Sequence, residues 1–194
     1  DLVTRALSVE DSTINEEKRT VEAILVTENP VTVLDRSTWE FVDEVLTIDG
    51  MDLPESRQVP FLDNHSRWET TDVIGSVRNI RKENGVIKGT VHFSSLAEDQ
   101  WTLVKERHLT DVSAGYRIFS ESSVYIERGQ EATVKGKIYK NNGERTLAIR
   151  TKWKMQEVSA TPIGADESAK MRSVIPRKEP AEGHNIDQNN SNNR

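Results

Sequence analysis

Three segments of this 194-residue chain carry residue types from which a hydrolytic site can be built. Val59 to Arg67, VPFLDNHSR, is an apolar run that leads directly into His65. Asp111 to Ile118, DVSAGYRI, places Ser113 inside a strand-like run and follows it with Ala114 and Gly115. Met155 to Ala165, MQEVSATPIGA, has Glu157 at the start of a strand-like stretch that Pro162 stops. A serine hydroxyl attacks a carbonyl only when a neighbouring base takes its proton. An imidazole, with an ordinary pKa of ~6.5, suits that role. A third group then fixes the tautomer and orientation of the ring. Small neighbours such as Ala114 and Gly115 leave room for a substrate backbone. On residue type alone, the bland alternatives stand beside this one: a strand serine on a solvated face and a loop histidine.

Candidates for the third group are acidic. Asp63 lies two residues before His65 and Asp111 two before Ser113, so in extended backbone each shares a face with its neighbour. Either is equally suited to be a solvated residue or a turn cap. The oxyanion hole has no sequence signature, because backbone N–H groups usually build it. Gly115 and the Gly164 loop are places where backbone can approach a substrate closely, and a plain turn after Pro162 also explains Gly164.

The remaining inventory narrows the chemistry. His92, His108 and His184 have no partner at metal-ligand spacing, and cysteine is absent, which removes disulfides, thiolate zinc and a cysteine nucleophile together. No zinc hydrolase or organic cofactor is expected, and no phosphate-binding glycine pattern occurs. Trp39, Trp68, Trp101 and Trp153 read as core or rim packing. The net charge of −6 argues against a nucleic-acid-binding surface. No apolar stretch approaches the ~20 residues that cross a bilayer, so no membrane partner is expected. Lack of cysteine fits a reducing compartment.

These residues must be held by a framework that the apolar pattern outlines. The hydrophobic fraction is 35% and the charged fraction 30%, so the middle of the chain must hold most of the core. The organisation reads as an N-terminal segment over 1–19, one domain over 20–176 and a disordered polar tail over 177–194. A turn is expected at Glu16 to Arg19 and a strand from Thr20, closed by Asn29-Pro30. Residues 36–58, with Trp39, Phe41 and Val42, fit a short helix or a strand. Val73 to Arg81 and Val86 to Phe93 alternate around Asn84-Gly85 and predict a β-hairpin. A helix is expected from Ser95, with Ser95 and Glu98 at capping-box spacing and Ala97, Trp101, Val104 and His108 on one face. Further strands are expected at Ser123 to Ile126, Thr133 to Tyr139, Thr146 to Trp153 and Glu157 to Thr161. The fold class is α+β and mostly β: a small antiparallel β-barrel or folded sheet decorated by a few helices.

Taken in order, the three segments resemble the prohead, or head maturation, protease family of tailed phages. The stretch DVIGSVRN at Asp72 to Asn79, the hairpin and Trp39-Glu40-Phe41-Val42 also resemble it, so the likeness runs from about Arg19 to Ala165. The resemblance implies a fold related to the herpesvirus assemblin proteases, a β-barrel surrounded by helices. It implies Ser113 as nucleophile and His65 as base, with Glu157 as the first choice for the third member. Assemblins use a second histidine there, and the closing segment of this chain has none. Further implications are a serine endopeptidase that cleaves scaffold or capsid protein, and itself, inside an assembling procapsid in the host cytoplasm. A homodimer is a possible assembly, as in the assemblins. The alternatives are a non-catalytic β-barrel module of capsid assembly, or an esterase using the same dyad.

Overall fold

The structure, a computed structural model, describes residues 3–8, 13–119 and 121–163. The first strands are β1 (Val3–Ser8), β2 (Thr20–Val26), β3 (Val31–Asp35), β4 (Glu40–Leu46), β5 (Met51–Asp52) and β6 (Val59–Asp63). A 3-10 turn at Thr70–Asp72 leads into β7 (Val73–Glu83) and β8 (Val86–Phe93). Helix α1 (Glu98–Lys105) and β9 (Asp111–Ile118) follow. The remaining strands are β10 (Ser123–Ile126), β11 (Glu131–Val134), β12 (Lys137–Lys140), β13 (Leu147–Arg150) and β14 (Trp153–Thr161).

The chain is α+β and mostly β, but the sheet does not close into a barrel. Strands β1-β9-β14-β6-β7-β8-β2 pair in that order, with β5 on β14, and the sheet curls into a half-barrel. Its terminal strands β1 and β2 approach each other with no ladder between them. Nor is it purely antiparallel: β14 runs parallel to β5 and β6, and β13 parallel to β4. Parallel neighbours need long crossovers, and hydrophobic periodicity carries no record of which distant strand will be the partner. In place of a few helices, the described residues contain one α-helix and short 3-10 segments.

Apolar positions of the large sheet pack into one core. Phe61 meets Phe93 edge-on at 5.3 Å between ring centroids, and Phe93 meets Trp101 of α1 at 5.2 Å. Trp101, Val104 and Ala97 are buried as the expected helical stripe, whereas His108 lies beyond the helix and is exposed. The expected Ser95–Glu98 capping box does not form. The N-cap position falls two residues later, at Ala97, with no side-chain cap. The preceding bend is closed by Ala97 N–H to Ser94 O at 3.1 Å and Leu96 N–H to Ser94 Oγ at 3.2 Å.

The β7–β8 hairpin turns at Asn84 and Gly85, with φ of 50° and 77°, the positive pair that a two-residue turn requires. Residues 40–46 are a strand and not a helix. The stretch Thr133 to Tyr139 is not one strand but a hairpin, because Lys135 and Gly136 (φ 48° and 82°) reverse it. Likewise Thr146 to Trp153 breaks after Arg150, and Trp153 opens the long strand that includes Glu157 to Thr161. The segment before residue 20 contributes β1, which pairs with β9 along its whole length, Ala6 opposite Ser113. The polar tail at 177–194 lies outside the described residues.

A second sheet, β10-β13-β4-β3, is tied to the first by buried charge. Arg150 Nε donates to Glu44 at 2.6 Å and its NH2 donates to Asp35 at 2.8 Å. NH1 donates to Ser123 Oγ and to Tyr125 Oη. From the large sheet, Tyr116 Oη of β9 donates to Glu44. Burial alone would raise the pKa of Asp35. Hydrogen bonds from Ser37, Arg150 and Tyr125 outweigh it and hold the carboxyl well below the usual range.

Candidate active site

Strand β9 turns Val112, Ala114 and Tyr116 into the core, so Ser113 and Gly115 face the opposite side of the sheet. On β14 the alternation is broken once. Trp153 and Met155 face the core, the ladder with β9 skips Gln156, and after that bulge the core residues are Val158 and Ala160. The one-residue shift sends Glu157, Ser159 and Thr161 to the face that carries Ser113. A bulge is a recurrent way to re-aim a side chain. Across the ladder Glu157 stands opposite Gly115, Ser159 opposite Ser113 and Thr161 opposite Asp111. Gly115 therefore puts no side chain against Glu157.

His65 reaches this face from the end of β6, which runs parallel to β14 with Asp63 beside Ala160. Asn64 and His65 both have left-handed backbone, φ of 45° and 60°. Asparagine and histidine are among the residues that tolerate that region best. Each amide of the turn has a partner: Asn64 N–H donates to Ala160 O at 2.9 Å, His65 N–H to Ser159 Oγ at 3.1 Å and Ser66 N–H to Asp63 O at 2.8 Å. Asp72 secures the continuation, accepting from Ser66 Oγ and from the amides of Trp68 and Glu69 at 2.8 to 2.9 Å. Those bonds, the Glu69 amide first, hold the Asp72 carboxyl below its ordinary pKa.

The His65 ring then meets the acid. Nδ1 lies 2.8 Å from Glu157 Oε1, and the other carboxylate oxygen, Oε2, accepts from Ser159 Oγ at 2.7 Å. With the carboxylate as acceptor, the hydrogen-bond pattern assigns the proton to Nδ1 and leaves the lone pair on Nε2. Glu157 is 3% exposed. Of the three acids weighed for contact with His65, Glu157 is the one bonded to its ring. Asp63 instead accepts from Gln100 Nε2 of α1 at 2.9 Å, and Asp111 accepts from Thr110 Oγ1 at 3.0 Å.

Ser113 shares one property with Thr161 on the same face, a buried hydroxyl with no hydrogen-bond partner. It is 2% exposed, and its Oγ has no hydrogen-bond partner, His65 included. An unpaired buried hydroxyl costs about 1–3 kcal/mol and so invites a functional explanation. The arrangement thus offers a hydroxyl committed to nothing, a histidine with a carboxylate on Nδ1, and an Nε2 free to accept a proton.

Sequence reasoning missed Ser159. Its signal was present in Glu157-Val158-Ser159, since residues two apart on a strand share a face. Of the four tryptophans, Trp101 and Trp153 are core, while Trp39 and Trp68 are exposed. His92 is partly buried, and burial first, then the nearby Arg78 charge, lowers its pKa. His184 and Gly164 lie outside the described residues. Among the described residues no three His, Asp or Glu side chains are grouped to hold a metal ion. No helix there is long and apolar enough to cross a membrane. Comparison with known proteins finds no matching family model, no matching curated protein and no matching solved structure.

Proposed function

We propose that this chain is a serine endopeptidase with Ser113 as nucleophile, His65 as base and Glu157 as the group that orients His65. The observation that carries the reading is the 2.8 Å bond from His65 Nδ1 to Glu157, on the sheet face where the Ser113 hydroxyl is unpartnered. As Ser113 Oγ bonds to the carbonyl carbon, His65 Nε2 takes its proton, and Glu157 stabilises the resulting imidazolium. His65 then protonates the leaving amine as the C–N bond breaks, giving an acyl-serine. Water attacks the ester in the same manner, its proton passing to Nε2 and then back to Ser113. The chemistry requires Nε2 to come to roughly 2.6–3.2 Å from Ser113 Oγ in the productive complex.

The resemblance to the prohead proteases extends this reading to scaffold and capsid proteins as substrates, self-cleavage, and action within a procapsid in the host cytoplasm. Kinship with the assemblin fold and assembly as a dimer belong to the same proposal. A second reading, a non-catalytic capsid-assembly module, is favoured by one observation: Ser113 is nearly inaccessible and holds no bond to His65. Co-expression with candidate scaffold and capsid proteins separates the two. Expected is cleavage by the wild-type chain and none by Ser113→Ala or His65→Ala, with both variants folded. Hydrolysis of small esters without any protein cleavage would point to an esterase, and no turnover of either to the module.

A further inference from the structure

We propose that Ser159 is a positioning residue of this site, one hydroxyl that sets both where Glu157 points and where His65 sits. The proposal rests on the reading of His65 and Glu157 given above. Ser159 is fully buried, and its Oγ is engaged with the other two residues at once. It donates to Glu157 Oε2 at 2.7 Å and accepts the His65 amide at 3.1 Å.

Each bond answers a need of the buried pair. A buried carboxylate has two oxygens to satisfy, and His65 Nδ1 takes only Oε1. Without a donor on Oε2, the group would lose the restraint that keeps Oε1 turned to the ring. The His65 amide belongs to a residue held in left-handed backbone, a conformation that persists when surrounding bonds over-determine it. Ser159 Oγ supplies that bond from the neighbouring strand. One atom therefore couples the strand that carries the acid to the turn that carries the base.

The same geometry separates two serines of identical type. Ser113 and Ser159 are cross-strand partners, but the Ser159 proton is directed to a carboxylate while Ser113 is uncommitted. Ser159 is accordingly a holder of the pair and not a second nucleophile.

Ser159→Ala tests this. Expected is a fall in kcat of about 10- to 100-fold, the size of a lost hydrogen bond to a charged group, with KM unchanged. A fluorophosphonate probe should still modify Ser113, more slowly by a similar factor. In proton NMR, the downfield His65 Nδ1–H resonance of the carboxylate-bonded ring should move upfield or broaden. Ser159→Thr, which keeps the hydroxyl, should restore both rate and resonance. Ser159→Cys, a weak donor of similar size, should behave as alanine does and serves if the alanine protein unfolds. Wild-type kcat and an unmoved resonance in both the alanine and cysteine proteins would overturn the proposal, as would probe attachment to Ser159. The resonance is independent of turnover. An inactive wild type whose resonance still depends on Ser159 would therefore sink the protease reading while leaving Ser159 as the holder of the pair.

Discussion

Ser113 and Ser159 face each other across the β9–β14 ladder with their hydroxyls in opposite conditions. Ser159 Oγ bridges Glu157 and the His65 amide, whereas Ser113 Oγ is buried with no partner. An uncompensated hydroxyl in that position costs stability. Ser113→Ala should therefore abolish catalysis while raising the unfolding free energy by about 1 kcal/mol, since function and stability often trade at such positions. Denaturant unfolding of the two proteins measures it. A large loss of stability would mean that Ser113 has an essential structural bond.

Glu157→Gln should keep the fold and lower proteolysis by on the order of 10³–10⁴-fold, the scale seen when an orienting carboxylate becomes an amide. Asp63→Asn should have a much smaller effect, because Asp63 is directed to Gln100 and not to the imidazole. Asp111→Asn should have the least. Rates measured on one peptide substrate decide among them. A dead Asp63→Asn beside an active Glu157→Gln would move the orienting role to Asp63.

The left-handed turn at Asn64 and His65 makes a prediction about backbone. Asn64→Val should cost about 1–2 kcal/mol or more, because a β-branched residue fits that region poorly. Asn64→Gly should be tolerated. Thermal unfolding with activity assays checks both, and equal stability of the two variants would mean that the turn relaxes without cost.

Buried charge within the second sheet gives a fourth test. Arg150→Met leaves Glu44 and Asp35 buried without their cation and should cost about 3–5 kcal/mol. Asp35 has a folded-state pKa below its unfolded value, which is ~3.9. Its contribution is therefore full above that pH and is lost as pH falls below about 4 toward the folded value. Asp35→Asn should flatten the acid limb of a stability–pH curve. An unchanged limb would remove Asp35 as a source of acid sensitivity.

Local pattern made part of this molecule legible. The β7–β8 hairpin was legible in the strict alternation of β8 and an Asn-Gly pair, both of which act within a few residues, although β7 departs from alternation at the irregularity between Arg78 and Arg81. The full length of strand β14 is hidden in the sequence because Gln156 breaks the period, and the same bulge gives Glu157 its direction. Strand β1 was missed because a six-residue strand with a charged residue in it has little pattern of its own and depends on β9. His65 and Glu157 could be named as candidates from their segments. Their contact is not written in local pattern and was expected only through the family resemblance, since it depends on a parallel pairing between strands far apart in sequence. Ser159 is legible in its spacing from Glu157, but its bonds to Glu157 and to the His65 amide depend on strands brought together by the fold.

The most direct test of the central claim is to treat the purified chain with a fluorophosphonate probe and map the modified residue by peptide mass spectrometry. Attachment at Ser113 is expected, lost in Ser113→Ala and strongly slowed in His65→Ala and Glu157→Gln. Absence of any serine adduct in a chain that is folded and cleaves its substrate, or an adduct on another serine, would contradict Ser113 as the nucleophile.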